Sequence, residues 1–131
     1  MGFLLVLFSL PVLANSYLPK TIIKDCYDGD TCTTIDKEKI RLACIDTPEL
    51  KGKKANLIPA EEARDFLNDL LANEKVSIRR ITKDRYGRTV AELLIDDINI
   101  QKLLVNKGYA KVYEQYSYQC DWNHNMEKVF E

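Results

Sequence analysis

At 131 residues the chain has room for one domain built around one hydrophobic core. Its composition is 46% hydrophobic and 30% charged, with five Gly and four Pro, which excludes a low-complexity chain. Nineteen Lys and Arg stand against 20 Asp and Glu, a formal net charge of −1. The chain as a whole is therefore no basic coat for a polyanion, and binding one would require local charge or a metal ion.

Residues 1–14 (MGFLLVLFSLPVLA) carry no charge and a strong apolar run. They read as a signal peptide, with Val12 and Ala14 at the −3 and −1 positions and export as the expectation. The run is short for a bilayer span and lacks a leading Lys or Arg, so an uncleaved membrane anchor is the alternative. Residues 15–131 then form the folded domain. The four cysteines, Cys26, Cys32, Cys44 and Cys120, suit an oxidising compartment, and four allow three pairings. Cys26 and Cys32 flank a turn at positions of equal parity, which favours a bridge between them. Cys44 lies in an apolar strand and reads as a buried thiol. With no CxxC pair and a single histidine, His124, a zinc site is a poor reading.

Three β-branched segments follow: residues 21–27, 31–36 and 39–45. Asp28-Gly29-Asp30 and Lys37-Glu38 mark the turns, predicting a three-stranded meander. Residues 50–58 read as a polar loop bearing Lys51, Lys53 and Lys54. Residues 59–72 predict a helix. Pro59 falls in its first turn, Glu61 and Glu62 complement the dipole, and Ala63, Phe66, Leu67, Leu70 and Leu71 form one apolar stripe. Two strands, 75–81 and 89–95, bracket a turn at 84–88. A second helix centres on Ile100, Leu103 and Leu104, with Gly108 as its C′ residue. An extended piece over 109–113 leads into the tail, where a further helix could start at Asp121. Five strands with a helix between the third and fourth predict an α+β, mainly β fold: a five-stranded OB-fold barrel with two to three helices.

The chemically informative segments are YDGDT (27–31), RLACIDTPE (41–49) and DRYGR (84–88). In this order and at this spacing they resemble the staphylococcal nuclease family over roughly residues 22–116. Taken singly, Asp28 and Asp30 would pass for turn residues, Arg41 with Asp46 for an ion pair, and Arg88 for a solvated charge. Their combination outweighs those readings.

The resemblance implies that Asp30, Asp46 and the Thr47 carbonyl hold Ca²⁺, a cation that takes oxygen ligands. It implies that Glu49 orients or deprotonates the attacking water. Arg41 and Arg88 would stabilise the charge that a phosphodiester gains in its transition state, where a guanidinium can bond two oxygens at once. Arg85, Tyr86, Tyr113 and Tyr116 are expected to frame the nucleotide. The family commonly has two tyrosines two apart, whereas this chain has Tyr113-Glu114-Gln115-Tyr116. Arg79, Arg80, Lys83 and Arg85 add positive charge near Arg88, and Lys51, Lys53 and Lys54 read as a solvated loop beside the site.

With the leader pointing to a secreted or periplasmic protein, the resemblance implies a monomeric, Ca²⁺-dependent nuclease without an obligate protein partner. It would cut DNA and RNA with little sequence preference and leave 3′-phosphate ends. The rivals are a catalytically silent OB-fold binding module and a structural calcium-binding domain. Relatives usually finish in a longer helix, so the C-terminal helix reads as shortened or truncated at Glu131.

Overall fold

The computed structural model describes Gly2 and residues 18–122. The expected leader, Gly2 apart, and the expected tail helix beyond Trp122 lie outside these residues, as does His124. The element order is β1 (Lys20–Asp28), β2 (Thr31–Thr34), β3 (Lys39–Leu42), β4 (Ile45–Asp46), α1 (Leu57–Leu71), β5 (Lys75–Lys83), β6 (Thr89–Ile95), β7 (Ile98–Asn99), α2 (Ile100–Asn106), β8 (Lys111–Val112) and a 3₁₀ helix (Glu114–Gln119).

β1 pairs antiparallel with β2 and with β5, β2 with β3, and β5 with β6. A parallel pairing of β3 with β6, Ile40 on Thr89 through Leu42 on Ala91, closes the ring. The five strands β1, β2, β3, β5 and β6 thus make the OB-like barrel that the element order predicts, with α1 inserted between the third and fourth of them. β7 extends β6, and β4 with β8 forms a separate two-stranded sheet beside the barrel.

Inward-facing side chains fill the ring: Ile23, Ile40, Leu42, Val76, Ile78 and Leu93 are fully buried. Leu67 and Leu71 of α1 close the barrel on one side, and Ile100 and Leu104 of α2 join the same core. Each such aliphatic side chain contributes about 1.5–3 kcal/mol relative to exposure. Asn68 of α1 ties the helix to β1: its Oδ1 accepts from Cys26 N–H at 2.7 Å and its Nδ2 donates to Cys26 O at 2.8 Å.

Several sequence expectations shift. α1 starts at Leu57, two residues early, so Glu61 and Glu62 fall beyond its first turn and do not complement the dipole there. The third predicted strand breaks in two at Ala43-Cys44, where Cys44 takes φ 68°. Asp96 and Asp97, both at positive φ, form a tight hairpin turn between β6 and the short β7 that precedes α2. Gly108, at φ 80°, follows the α2 cap Lys107 as expected. The 3₁₀ helix had no periodic apolar signal, since none of its residues is buried.

Both disulfides form: Cys26–Cys32 and Cys44–Cys120, leaving no free cysteine. The first is the expected bridge, across directly paired β1 and β2 residues. The buried-thiol reading of Cys44 is corrected. The cysteine is buried, but the returning tail brings Cys120 against it, a long-range contact that strand periodicity does not encode.

Candidate active site

The open end of the barrel carries a cleft of about 1080 Å³. All ten predicted site residues line it: Asp30, Arg41, Asp46, Thr47, Glu49, Arg85, Tyr86, Arg88, Tyr113 and Tyr116. They arrive from separate elements because the ring closes. β3 carries Arg41, the turn before β2 carries Asp30, and the turn before β6 carries Arg88.

The Asp28–Asp30 turn is pressed against the rest of the site. An added Cβ on Gly29 would meet Ala63 Cβ at 2.8 Å and Thr47 Cγ2 at 2.9 Å, so only glycine fits there. Asp30 is buried, and its Oδ2 accepts from Thr47 N–H at 3.2 Å and Thr47 Oγ1 at 3.0 Å. Arg41 bridges the two acidic positions, with Nη2 3.5 Å from Asp30 Oδ2 and 3.9 Å from Asp46 Oδ1. Its Nη1 donates to Leu42 O at 2.7 Å, which anchors the guanidinium over the cleft. Asp28 also lines the cleft, and burial, followed by the Asp30 charge, pushes its carboxyl up to about 6.

Arg88 is held in the turn that precedes β6, the strand paired with β3. Asp84 Oδ2 accepts from Arg88 Nε at 2.7 Å, and Asp84 Oδ1 accepts from the N–H groups of Tyr86 and Arg88, each at 2.9 Å. Burial pushes the Asp84 carboxyl up, but these hydrogen bonds together with the Arg88 charge outweigh it and hold it below the usual aspartate value. Arg88 Nη1 donates to Thr31 Oγ1 at 3.4 Å, and Thr31 Oγ1 donates to Asp30 Oδ1 at 3.2 Å, so one hydroxyl links Arg88 to Asp30. The guanidinium carbons of Arg85 and Arg88 lie 4.9 and 5.4 Å from the centroid of the Tyr86 ring. Tyr113 and Tyr116 pack edge to face, 5.1 Å apart, at the tail side of the cleft.

Not every basic residue expected near the site stays available. Arg79 pairs with buried Glu92 at 2.6 Å, and Arg80 with Glu38 at 2.7 Å, so these two stabilise the barrel. Lys83 and Arg85 do line the cleft, as do Lys51 and Lys54, two residues of the loop read as merely solvated. The positioning roles of Asp84 and Thr31, and the cleft position of Tyr27, are additions to the sequence reading. For Asp84 a signal existed: it stands four residues before Arg88 across a glycine turn.

Among the described residues, no three His, Cys, Asp or Glu side chains stand close enough to hold a metal ion as arranged. The donor chemistry nevertheless fits a hard cation. Asp30 is buried and stands with Asp46 at the same guanidinium, Asp28 lies beside it in the same turn, and carboxylate oxygens are the donors that such a cation takes. Arg41 offsets only part of their negative charge.

Residues 39–131 match the family of staphylococcal nuclease homologues. The chain is 33% identical over 117 residues to an uncharacterized endonuclease of Escherichia coli O157:H7, covering 86% of this chain and 72% of that one. It is 38% identical over 95 residues to an uncharacterized endonuclease of Haemophilus influenzae, covering 70% of this chain and 51% of the relative. To the thermonuclease of Staphylococcus intermedius it is 36% identical over 110 residues, 79% of this chain and 62% of that protein. The closed five-stranded ring, the cleft at its open end and these matches lead to one conclusion: the chain belongs to the staphylococcal nuclease homologue family.

Proposed function

We propose that this protein is an exported, monomeric, calcium-dependent phosphodiesterase that cuts DNA and RNA with little sequence preference and leaves 3′-phosphate ends. The observation that carries the reading is the convergence of Asp30, Arg41, Asp46, Glu49 and Arg88, from separate segments, on one cleft. A purely structural ion-pair network would not need these two arginines and three carboxylates gathered in one open groove.

Asp30, Asp46 and the Thr47 carbonyl would hold Ca²⁺, which supplies positive charge where a phosphodiester would otherwise meet only carboxylates. Arg41 and Arg88 donate to the phosphoryl oxygens as negative charge accumulates on them, each from a guanidinium already fixed by a neighbour. Glu49, exposed at the cleft, takes the proton of the attacking water. The water oxygen bonds to phosphorus as the bond from phosphorus to the 5′-oxygen breaks, and the leaving 5′-oxygen takes a proton from solvent water. Tyr86, Tyr113 and Tyr116 offer faces on which bases stack, which tolerates any sequence, and Arg85 contacts the backbone.

The test is incubation of the oxidised protein from Asn15 onward with single-stranded DNA, in Ca²⁺ and in EDTA. Calcium-dependent loss of the full-length strand, abolished by Glu49→Gln with Arg88→Ala, is the expected result. A folded protein that binds the strand and leaves it whole in both conditions would instead make the chain a binding module.

A further inference from the structure

We propose that the Cys44–Cys120 disulfide is a positioning device for the cleft: it fixes the tyrosine wall on which an oligonucleotide stacks. The identity of the ligand rests on the nuclease reading above; the positioning role rests on the following geometry.

The 3₁₀ helix Glu114–Gln119 buries none of its residues, so apolar burial does not hold it in place. Both of its ends are instead tied to one residue. Before it, Tyr113 N–H donates to Cys44 O at 2.8 Å; after it, Cys120 is bonded to Cys44 through sulfur. Between these ties stand Tyr113 and Tyr116, each little more than a third exposed and both lining the cleft. Cys44 itself has φ 68°, a left-handed conformation unfavourable for a residue with a Cβ, kept at the break between β3 and β4. That break lets one residue present its carbonyl and its sulfur to the same returning segment.

The bridge is a fixed element and no surface thiol pair. Cys44 and Cys120 are 3% and 0% exposed and pack with Ala43 beneath Ile81, Val90 and Trp122. Other ties would remain if the bridge were cut: the β4–β8 pairing ahead of the helix, Arg79 Nη2 donating to Gln119 O at 2.7 Å, and Trp122 Nε1 donating to Glu92 Oε1 at 2.8 Å beyond it. Asp30, Arg41 and Arg88 depend instead on the closed ring, through the β3–β6 pairing. Losing the bridge should therefore loosen the aromatic wall and spare the phosphate-facing groups.

The experiment compares Cys44→Ala/Cys120→Ala with the parent, both in a Glu49→Gln background that halts cleavage. Affinity for a fluorescent oligodeoxythymidylate in Ca²⁺ is read by anisotropy, with near-ultraviolet circular dichroism and Trp122 fluorescence reporting folding. The expected result is a Kd weakened on the order of 5- to 30-fold, the scale of lost base stacking. In a Tyr113→Leu/Tyr116→Leu background, removing the bridge should weaken binding no further, because the wall it holds is already gone. A Cys44→Val/Cys120→Val pair, which refills the buried volume, serves if the alanine pair does not fold. Kd within about twofold of the parent in a folded variant, or full additivity with the tyrosine changes, would overturn the inference. Failure of the unmutated chain to cleave DNA would count against the nuclease reading and leave this Kd comparison standing.

Discussion

Replacing Asp84 by asparagine separates the placement of Arg88 from its charge. The carboxylate accepts three hydrogen bonds, two from backbone N–H groups on Oδ1 and one from Arg88 Nε on Oδ2. Asparagine keeps an oxygen for the backbone donors, so the turn should hold, but it aims an NH₂ at the guanidinium. A hydrogen bond to a charged group contributes about 1.5–3 kcal/mol. The side chains of Arg88 and Asp84 are 27% and 19% exposed, which places this one at the lower end. About 1.4 kcal/mol is a factor of ten, so turnover should fall roughly tenfold with KM little changed. The melting temperature should fall by roughly 5 °C. Removing Arg88 outright should cost more, on the order of 10²–10³. Initial rates on single-stranded DNA for Asp84→Asn, Arg88→Ala and the double variant form the assay. The double variant should match Arg88→Ala, because Asp84 acts on turnover only through that residue. A well-folded Asp84→Asn protein with undiminished turnover, or a further tenfold loss in the double variant, would refute the argument.

Gly29→Ala should destabilise the protein by about 1–3 kcal/mol by overpacking against Ala63 and Thr47, and should weaken Ca²⁺ binding by displacing Asp30; calorimetric melting and calcium titration measure the two effects. Glu38 titrates below its ordinary value of 4.5, chiefly through hydrogen bonds from Arg80. A depressed carboxylate stabilises the fold above its unfolded pKa and loses that contribution as pH falls through the folded value. Glu38→Gln should thus melt earlier than the parent at pH 7, with the gap closing toward pH 3, and a gap unchanged by pH would exclude the ion pair as its source. Being partly exposed, that pair is worth about 1 kcal/mol or less. Raising salt should weaken oligonucleotide binding only gently, because three arginine contacts on a single strand imply a log–log slope near −2 by the rough relation of 0.7 per phosphate; a slope several times steeper would mean that the lysine loop carries the affinity.

The barrel was legible because its signals were local and repeated: β-branched runs, turn residues between them, and one apolar stripe for α1. The site was legible for another reason. Asp30, Arg41, Asp46, Glu49 and Arg88 were found by their order and spacing, although nothing in their periodicity says that they meet. Ring closure through β3 and β6 is the step that brings them together. What escaped the reading was non-local or side-chain-mediated. The Cys44–Cys120 bridge joins residues 76 apart in sequence, and the 3₁₀ helix follows no apolar period. The loss of Arg79 and Arg80 to Glu92 and Glu38 depends on strand register, which composition near Arg88 could not reveal.

A net charge of −1 looks unsuited to gripping a polyanion, yet the cleft sets six cationic side chains against five carboxylates. Near balance in so small a volume has a physical consequence. The two best-placed cations cannot act as a diffuse attractive field, because Arg41 lies near Asp30 and Asp46 and Arg88 is paired with Asp84. Arg41 and Arg88 are held at fixed points by Leu42 O and Asp84, and such fixed donors discriminate by position and not by total charge. The carboxylates of Asp30 and Asp46 beside Arg41 would repel a bare phosphate and would accept one accompanied by a hard cation. Under the calcium-dependent mechanism proposed above, metal and substrate would be coupled and attraction would be conditional. A cleft of pure lysine would bind any nucleic acid anywhere along its length and release it slowly, whereas the mechanism proposed above would favour the phosphate that sits between the arginines and completes the cation's ligand set.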